Sequence, residues 1–327
     1  MDGFAREQLE TLVALVDEGT FEAAANRLHV TASAVSQRVK AMEQRAGQIL
    51  LERSNPVRPT SAGDVVLRLA RQVQLVETEA LAELGQAGAG PGSTWPVIPV
   101  AVNADSLATW FLPALADAAA QLDVVFDVRR DDQGYTTAML RSGSVMAAVT
   151  STPEPVQGCS VTTLGVMRYR AVASPSYLAR WRGDGRGDRR GDGQDDGRGD
   201  GRSTPDGAED LASWLPNAPH LDFDRRDDLQ RGFLRELVPD ARAAAAPRHY
   251  VPTSADFARS IVAGLGWGML PEQQCATELA RGDLIELAPR RPADVPLFWQ
   301  RWNLASTLLD GLTVAVRRAA AASLRAG

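Results

Sequence analysis

Residues 20–42, TFEAAANRLHVTASAVSQRVKAM, constrain the fold more than any other part of this sequence. Thr20 is a favourable N-cap residue, and the run that follows it is rich in helix formers and contains no Gly or Pro. Thr31 offers a second N-cap before a longer run in which Val35, Val39 and Met42 recur at helical spacing. We therefore expect two helices that meet at a tight corner.

The second helix of this pair carries polar side chains on the N-terminal half of one face. Such side chains can hydrogen-bond to base edges and phosphates, as a helix in the DNA major groove requires. Gly47 can end the helix, and apolar residues 49–51 followed by Pro56 and Pro59 predict two short strands that form a wing. The predicted DNA-contacting residues are Thr31, Ser33, Ser36, Gln37, Arg38, Lys40, Arg53 and Arg58. A corner between two helices of an enzyme is the alternative interpretation of residues 20–42, and the wing pattern argues against it.

The charge of the chain is distributed unevenly. The net charge of −6 by itself argues against a nucleic-acid partner, because phosphate binding requires Lys and Arg. Between residues 27 and 58, however, Glu43 and Glu52 are the only acidic residues. The basic residues there are Arg27, Arg38, Lys40, Arg45, Arg53 and Arg58. The predicted DNA-binding surface is therefore basic although the whole chain is acidic.

Two further helices are predicted beside this unit. The apolar spacing of residues 4–16 predicts a supporting helix that stops near Gly19, and residues 61–85 predict a long helix. The long helix has apolar residues at alternating steps of three and four, namely Val66, Leu69, Val73, Val76 and Ala80. This spacing indicates a coiled-coil seam and hence a dimer. The alternative is that the stripe packs within its own domain. Residues 85–93, GQAGAGPGS, predict a flexible hinge.

From residue 96 onward, apolar runs alternate with helical patterns, which is typical of an α/β fold with a largely parallel sheet. Two sets of these elements predict two lobes, with the chain returning to the first lobe after Pro271. The predicted organisation is a winged helix-turn-helix domain at 1–60, a linker helix and hinge at 61–92, and a two-lobed domain at 93–327. The predicted lobes are 96–165 together with 270–327, and 166–269.

Residues 182–202 break this alternation. The segment contains six Arg and six Asp and has no apolar residue, so it cannot bury enough surface to order itself. We expect a disordered insert at about 182–207 in the second lobe. The RGD tripeptide recurs in it and matches an adhesion motif, but the N-terminal sequence lacks a secretory signal, and we expect a cytoplasmic protein without a membrane span.

The residues of the helix-turn-helix and wing resemble those of LysR-type transcriptional regulators. The residues that carry this resemblance are Ala24, Ala25, Leu28, His29, Val30, Ser33, Ala34, Val35, Ser36, Glu43, Gly47, Leu50, Arg53, Thr60 and Gly63. Residues 100–115, Phe223-Asp224, 269–271 and Phe298-Trp299 are similar to the ArgP/LysG branch of that family. The tract at 182–202 departs from the branch.

This resemblance implies both a fold and a function. The implied fold is a winged helix-turn-helix, a linker helix and a periplasmic-binding-protein-like effector domain of two α/β lobes. The implied function is binding of double-stranded promoter DNA as a homodimer or homotetramer, with lysine or arginine as effector and export or biosynthesis of basic amino acids as the controlled process. A DNA-binding protein with a non-basic effector or with no effector is the alternative.

Candidate effector residues lie where predicted strands end, which is where open α/β sheets bind ligands. Asn103, Asp105 and Ser106 follow the first strand and begin a helix, whose free N–H groups favour a carboxylate. Asp132 and Asp224 can attract an ammonium or guanidinium group. Further hydroxyl groups at such ends are those of Thr150, Thr253 and Ser254. The alternative is that these residues are helix caps or solvated surface.

The sequence offers little for catalysis or metal binding. The chain has three His residues, His29, His220 and His249, and contains no GxSxG, P-loop or HExxH motif. Cys159 and Cys275 are isolated in sequence, which favours buried thiols over a disulfide or a metal site. We therefore expect no enzyme activity, no cofactor and no metal.

Overall fold

The computed structural model describes five stretches of the chain, residues 3–84, 95–130, 136–182, 208–238 and 246–327. The predicted hinge at 85–93, Asp132 and residues 183–202 of the Gly/Asp/Arg tract lie outside the described residues. The chain forms two compact units. The first comprises Met1–Leu107, Phe111–Leu164 and Leu297–Ala320, and the second comprises Ala108–Trp110, Gly165–Pro296 and Ala321–Gly327.

The first unit begins with three helices, α1 (Arg6–Glu18), α2 (Phe21–Arg27) and α3 (Ala32–Ala46). The N-caps predicted for α2 and α3 are confirmed, because the Thr20 hydroxyl accepts a hydrogen bond from Ala23 N and the Thr31 hydroxyl accepts one from Ala34 N, each at 3.2 Å. α1 and α3 end at glycines in the left-handed conformation. The corner between α2 and α3 places His29 at φ 53°. The predicted helix pair is thereby confirmed.

A two-stranded antiparallel wing follows α3 and is formed by β1 (Leu51–Glu52) and β2 (Arg58–Pro59). The linker helix α4 (Ser61–Glu83) begins directly after it, capped by Thr60, whose hydroxyl accepts from Gly63 N at 3.1 Å. Buried side chains from α1, α2, α3, the wing and the first turns of α4 make one apolar core, which includes Leu12, Leu15 and Leu67. The predicted winged helix-turn-helix is confirmed.

The rest of the described chain alternates strands and helices. The strands are β3 (Val97–Val102), β4 (Val125–Arg130), β5 (Ala147–Thr150), β6 (Cys159–Ala173), β7 (His220–Asp222), β8 (Arg248–Tyr250), β9 (Gly268–Pro271), β10 (Ile285–Glu286) and β11 (Ala293–Trp302). The helices are α5 (Ala104–Ser106), α6 (Leu112–Gln121), α7 (Thr136–Arg141), α8 (Pro175–Trp181), α9 (Ala208–Trp214), α10 (Leu229–Leu237), α11 (Ser254–Val262), α12 (Glu272–Arg281) and α13 (Thr307–Ser323). A π-helical turn, Leu107–Phe111, joins α5 to α6.

In the first unit, β3 pairs in parallel with both β4 and β5, while β11 pairs antiparallel with β5. Apolar side chains of β3, β5 and α7 pack together in a buried cluster that includes Ala101, Leu140 and Ala148. The carboxyl ends of β3, β4 and β5 therefore lie at the same edge of the sheet.

In the second unit, β6 pairs antiparallel with β9 and β10, and β7 pairs in parallel with β8. Its core includes Leu221, Phe257, Ile261 and Leu270. The expectation of a largely parallel sheet is thus only partly right, because β6 and β11 make antiparallel pairs. Residues 270–296, where the sequence pattern placed the return to the first lobe, belong to the second unit because β9 and β10 pair with β6.

The linker helix is anchored to the α/β part of the first unit by three side chains. Arg68 donates to the backbone oxygens of Gln157, at 3.0 Å, and of Arg141. Arg71, only 5% exposed, donates to Asp17 Oδ1 of α1 at 2.5 Å and to the Ser144 carbonyl at 3.5 Å. Burial lowers the pKa of the Arg71 guanidinium, and the Asp17 carboxylate opposes this shift.

The third anchor is Glu79, whose carboxylate lies at the N-terminus of α13. Its Oε1 atom accepts from the Ser306 hydroxyl at 2.8 Å, the Thr307 hydroxyl at 3.1 Å and Leu308 N at 2.9 Å. A carboxylate at this position satisfies free donors and suits the positive end of the helix. The linker helix and α13 are therefore joined by a charged cap.

In the described part of the chain, every helix is too short or too polar to cross a membrane.

Candidate functional site

The exposed face of α3 carries most of the side chains predicted to contact DNA. Val35, Val39 and Met42 are buried in the core, and this fixes which face points outward. Thr31, Ser33, Ser36, Gln37 and Lys40 are exposed. The local sequence pattern thus produces a helix with one anchored apolar face and one free polar face, as insertion into a groove requires.

Arg38 differs from its neighbours because it is half-buried and has an intramolecular partner. Its Nη1 atom donates to Thr11 Oγ1 of α1 at 3.3 Å. Thr11 is fully buried and its hydroxyl in turn donates to the Glu7 carbonyl at 2.6 Å. The side chain of Arg38 therefore helps to hold α3 on α1.

The wing places Arg53 and Arg58 at exposed positions beside α3. Glu43 of α3 holds the start of the wing, because its carboxylate accepts from Leu50 N at 3.0 Å. Arg27 pairs with Asp17 and Glu18, at 3.3 Å each. Because these two carboxylates neutralise its charge, Arg27 contributes little to the basic surface.

A second candidate site lies in the first unit, at the sheet edge where β3, β4 and β5 end. Asn103 follows β3, and Ser106 lies in the first turn of the helix that begins there. Thr136 begins α7, after β4 and the intervening residues 131–135, which lie outside the described ones. Exposures of 7% for Asn103, 0% for Ser106 and 1% for Thr136 place all three in the interior.

These three residues share a deficit of hydrogen bonds. Within the described residues, Asn103 Oδ1, Ser106 Oγ and Thr136 Oγ1 are buried and have no hydrogen-bond partner. Buried polar atoms normally find partners, so an unpaired set at a strand edge indicates a place for a ligand or for water. The sequence analysis missed Thr136, although its position at the start of a helix after a strand was a usable signal.

Thr150 also lies at this edge, but its hydroxyl is engaged locally. Its Oγ1 atom donates to the Thr152 carbonyl at 3.1 Å and accepts from Gln300 Nε2 at 3.3 Å. Gln300 is fully buried and also binds Val156 N and the Glu154 carbonyl. This network braces the end of β5. Asp105 is half-buried in the first turn of α5.

The second unit contains the remaining predicted effector residues, and each has a local structural partner. Asp224 Oδ1 accepts from Arg226 N at 2.6 Å and Asp227 N at 2.9 Å. Thr253 caps α11 and its hydroxyl donates to Asp256 Oδ2 at 2.6 Å. The Ser254 hydroxyl accepts from Gln274 Nε2 at 2.7 Å. These contacts match the capping alternative, and the effector role of the three residues stays a prediction.

A buried polar group that the sequence analysis missed lies on β7. His220 and Asp222, exposed by 0% and 1%, face the same way on the strand, with His220 Nε2 3.3 Å from Asp222 Oδ1. The His220 ring also contacts Trp267, with 5.6 Å between centroids. The two side chains are enclosed within the core of the second unit.

The cysteines are free thiols in unreactive surroundings. Burial raises the pKa of the Cys275 thiol to about 12, and burial also raises the pKa of Cys159. Neither forms a thiolate readily. Among the described residues, no group of three or more His, Cys, Asp or Glu side chains could hold a metal ion.

Comparison with known proteins gives a consistent result. Residues 6–64 match the model of the family described as bacterial regulatory helix-turn-helix protein, lysR family. The HTH-type transcriptional regulator LysG of Mycobacterium tuberculosis is 43% identical over 319 residues, which cover 97% of this chain and 94% of the relative.

Two solved structures match over almost the whole chain. The crystal structure of ArgP from Mycobacterium tuberculosis has a TM-score of 0.78 and 41% identity, with 100% of both chains covered. Full-length LysG from Corynebacterium glutamicum, solved with bound effector Arg, has a TM-score of 0.72 and 36% identity, with 98% of this chain and 99% of that chain covered. These structures match the predicted fold, a helix-turn-helix followed by a two-lobed α/β domain.

The named relatives are transcriptional regulators, which excludes the enzyme alternative. Proteins can share a fold with much lower sequence identity, so 43% identity over 97% of the chain indicates membership of the same family. The chain belongs to the LysR family of DNA-binding transcriptional regulators, and within it to the group that contains LysG and ArgP.

Proposed function

We propose that this regulator senses a basic amino acid, lysine or arginine, and adjusts transcription of genes for export or biosynthesis of such amino acids. The observation that carries the proposal is the set of three buried, unpaired polar atoms of Asn103, Ser106 and Thr136 at one sheet edge. The effector Arg in the Corynebacterium glutamicum LysG structure supports the same class of ligand.

The chemistry of the three side chains fits the head group of an amino acid. The Ser106 and Thr136 hydroxyls can donate to the α-carboxylate, and Ser106 adds the free N–H groups of a helix start. Asn103 Oδ1 is an acceptor and suits the α-ammonium group. The cationic end of the effector needs a carboxylate, and Asp105, Asp132 and Asp224 stay the predicted effector residues that carry one.

For DNA, we propose that α3 enters the major groove and that Ser36 and Gln37 contact base edges. Thr31, Ser33, Arg38, Lys40, Arg53 and Arg58 complete the proposed contact set. Support comes from the exposed polar face of α3 beside the basic wing. Each neutralised phosphate contributes a log–log salt slope of roughly −0.9, so affinity should fall steeply with salt concentration.

Calorimetry on the full-length protein tests the effector proposal. We expect heat of binding with L-arginine and L-lysine and much weaker binding of L-leucine. Ser106→Ala and Thr136→Val should each weaken arginine binding by about 1–3 kcal/mol, because a charge-assisted hydrogen bond is lost. Ser213→Ala removes an exposed hydroxyl in the second unit and should leave affinity unchanged. Equal binding of leucine and arginine would reject the effector class.

A further inference from the structure

The second unit contains a pocket of about 340 Å³ between α11 and α12. This volume is within the range of small-molecule sites. The pocket is lined by Ala258, Arg259, Val262, Ala263, Leu270, Gln274, Glu278, Asp283 and Leu284. None of these residues belongs to the DNA-binding or effector residues assigned above.

The inner wall of the pocket is apolar and well supported. Leu270 and Leu284 are exposed by 1% and 2% and belong to the core of the second unit. Ala258 packs against the same core from α11. A wall of this kind is rigid and suits an alkyl chain, whose transfer from water is favourable by about 0.8 kcal/mol per buried CH₂ group.

One polar atom of the lining is buried without a partner. Among the described residues, Gln274 Oε1 has no hydrogen-bond partner, while Gln274 Nε2 is held by the Ser254 hydroxyl at 2.7 Å. In this arrangement the amide nitrogen is engaged by the hydroxyl and the amide oxygen is the unpaired acceptor. A ligand with an N–H group would satisfy it.

The charges of the lining favour a cation. Glu278 and Asp283 supply two carboxylates near the C-terminal end of α12, where the helix dipole is also negative. Arg259 is the only basic residue of the lining, and it pairs with Asp256 at 3.3 Å with its side chain 80% exposed. Arg259 therefore lies in solvent and leaves the carboxylates of the pocket available.

We propose that this pocket binds an alkyl amine cation that lacks a carboxylate, such as a linear diamine. The alkyl chain lies along the accessible side chains of Ala258 and Val262, which cover the buried Leu270 and Leu284. The ammonium groups meet Gln274 Oε1 and the carboxylates of Glu278 and Asp283. A carboxylate-bearing amino acid is disfavoured, because two of the polar lining groups are themselves anionic. This inference does not depend on the proposed effector site.

The test is calorimetry of the full-length protein with 1,5-diaminopentane, measured with and without saturating L-arginine. We expect one site that binds diamine in both conditions, because arginine occupies a different place. Competition by arginine would overturn the second-site proposal. Failure of arginine to bind at all would count against the proposed effector and leave the diamine result interpretable. Pentanoate, of similar length and opposite charge, should not bind.

Variants of the lining residues test whether the diamine binds in this pocket. Glu278→Gln combined with Asp283→Asn should weaken diamine binding roughly tenfold or more, since ion-paired hydrogen bonds are lost. Ala258→Leu should block the pocket without changing its charge. Glu236→Gln, an exposed acid on α10 outside the lining, is the matched control and should bind as the unmodified protein does. Unchanged affinity in both pocket variants, with unfolding temperatures preserved, would overturn the assignment.

Discussion

Gly63 lies where the linker helix passes closest to the wing. A Cβ atom at this position would be 1.9 Å from the Leu50 carbonyl oxygen. That oxygen is fixed by a hydrogen bond from Thr60 N at 2.9 Å, and Leu50 N is fixed by Glu43. The Leu50 backbone therefore cannot shift to accommodate a Cβ atom, and the close approach requires glycine at position 63.

Gly63→Ala should lower the free energy of unfolding by about 1–3 kcal/mol, because the added methyl group overpacks a fixed contact. Gly232→Ala is the matched control, since Gly232 lies in α10 with no atom within 4 Å of the added Cβ. That change should be neutral or should stabilise by up to about 1 kcal/mol. Urea denaturation measures both, and equal stability of the two variants would contradict this view of the wing.

Gln37→Ala should reduce affinity for the specific operator by about 1–3 kcal/mol and relax sequence preference at one base pair, because Gln37 is exposed on the proposed reading face of α3. Gln44→Ala, exposed near the C-terminal end of the same helix, should bind operator DNA normally. Fluorescence anisotropy with specific and random duplexes gives both values. If the Gln37→Ala variant kept the affinity and sequence preference of the unmodified protein, Gln37 would not be a base-contacting residue.

At the residue scale, the sequence predicted positions better than it predicted hydrogen-bond partners. The caps Thr20 and Thr31 could be predicted because an N-cap depends on neighbours three residues away. The contact between Arg38 and Thr11 could not, because those residues are 27 positions apart and meet only after packing. The position of Thr136 at a helix start could be predicted, but its burial could not, since burial depends on the assembled sheet.

At the scale of elements, the linker helix α4 is held by one side chain from its middle and one from its C-terminal half. Arg71 joins it to Asp17 of α1, and Glu79 caps α13. The linker helix thus contacts the DNA-binding domain through Asp17 and contacts α13 through the Glu79 cap. The contact depends on the charge of Glu79 as well as on its shape.

Glu79→Gln should destabilise the first turn of α13 by about 0.5–2 kcal/mol, because a neutral amide caps a helix less well than a carboxylate. Hydrogen exchange of the amides at 306–310 should accelerate accordingly. Glu83→Gln changes an exposed acid on the same helix and should leave that exchange unchanged. Identical exchange in the two variants would show that Glu79 does not hold α13.

The sequence predicted some helices and strands well and missed others. Strong periodicity predicted α1, α3 and α4, whose apolar residues recur at fixed spacing. The helices α12 and α13 and the strand β9 were not predicted, since Gly268–Pro271 is short and the alanine-rich end of α13 has little polar contrast. The apolar run from about Leu164 to Ala173 predicts a strand there, whereas β6 begins at Cys159. The added residues are mixed in polarity, so the sequence pattern did not mark them as a strand.

At the scale of the whole molecule, the apolar residues that α4 leaves exposed support a dimer. The predicted seam is shifted, because Val66 is 7% exposed in the core and Val73 packs partly against it. The large apolar residues exposed on α4 and its C-cap are Val65, Leu69, Val76, Leu81 and Leu84, and Ala80 of the predicted seam is exposed as well. Most of this set repeats at steps of three, four or seven, as a helix that pairs with a second copy requires.

Leu69→Lys with Val76→Lys should convert the dimer to monomer at micromolar concentration, because each leucine or valine buried at an interface contributes about 1.5–3 kcal/mol and both changes are made in both copies. Val314→Lys replaces a residue that is 57% exposed on α13 and should leave the oligomeric state unchanged. Sedimentation velocity distinguishes the species. A double variant that stays dimeric would locate the dimer interface elsewhere.

Genome-wide mapping of bound sites in cells grown with and without added lysine or arginine tests the central claim most directly, because it reports DNA target and effector together. A regulator that senses a basic amino acid should occupy a small number of promoters near genes for amino-acid export or biosynthesis. The pattern of protection or occupancy there should change when lysine or arginine is added, and Ser106→Ala should reduce that change. Occupancy spread evenly over the genome, or promoter binding that is identical in all conditions, would contradict the account.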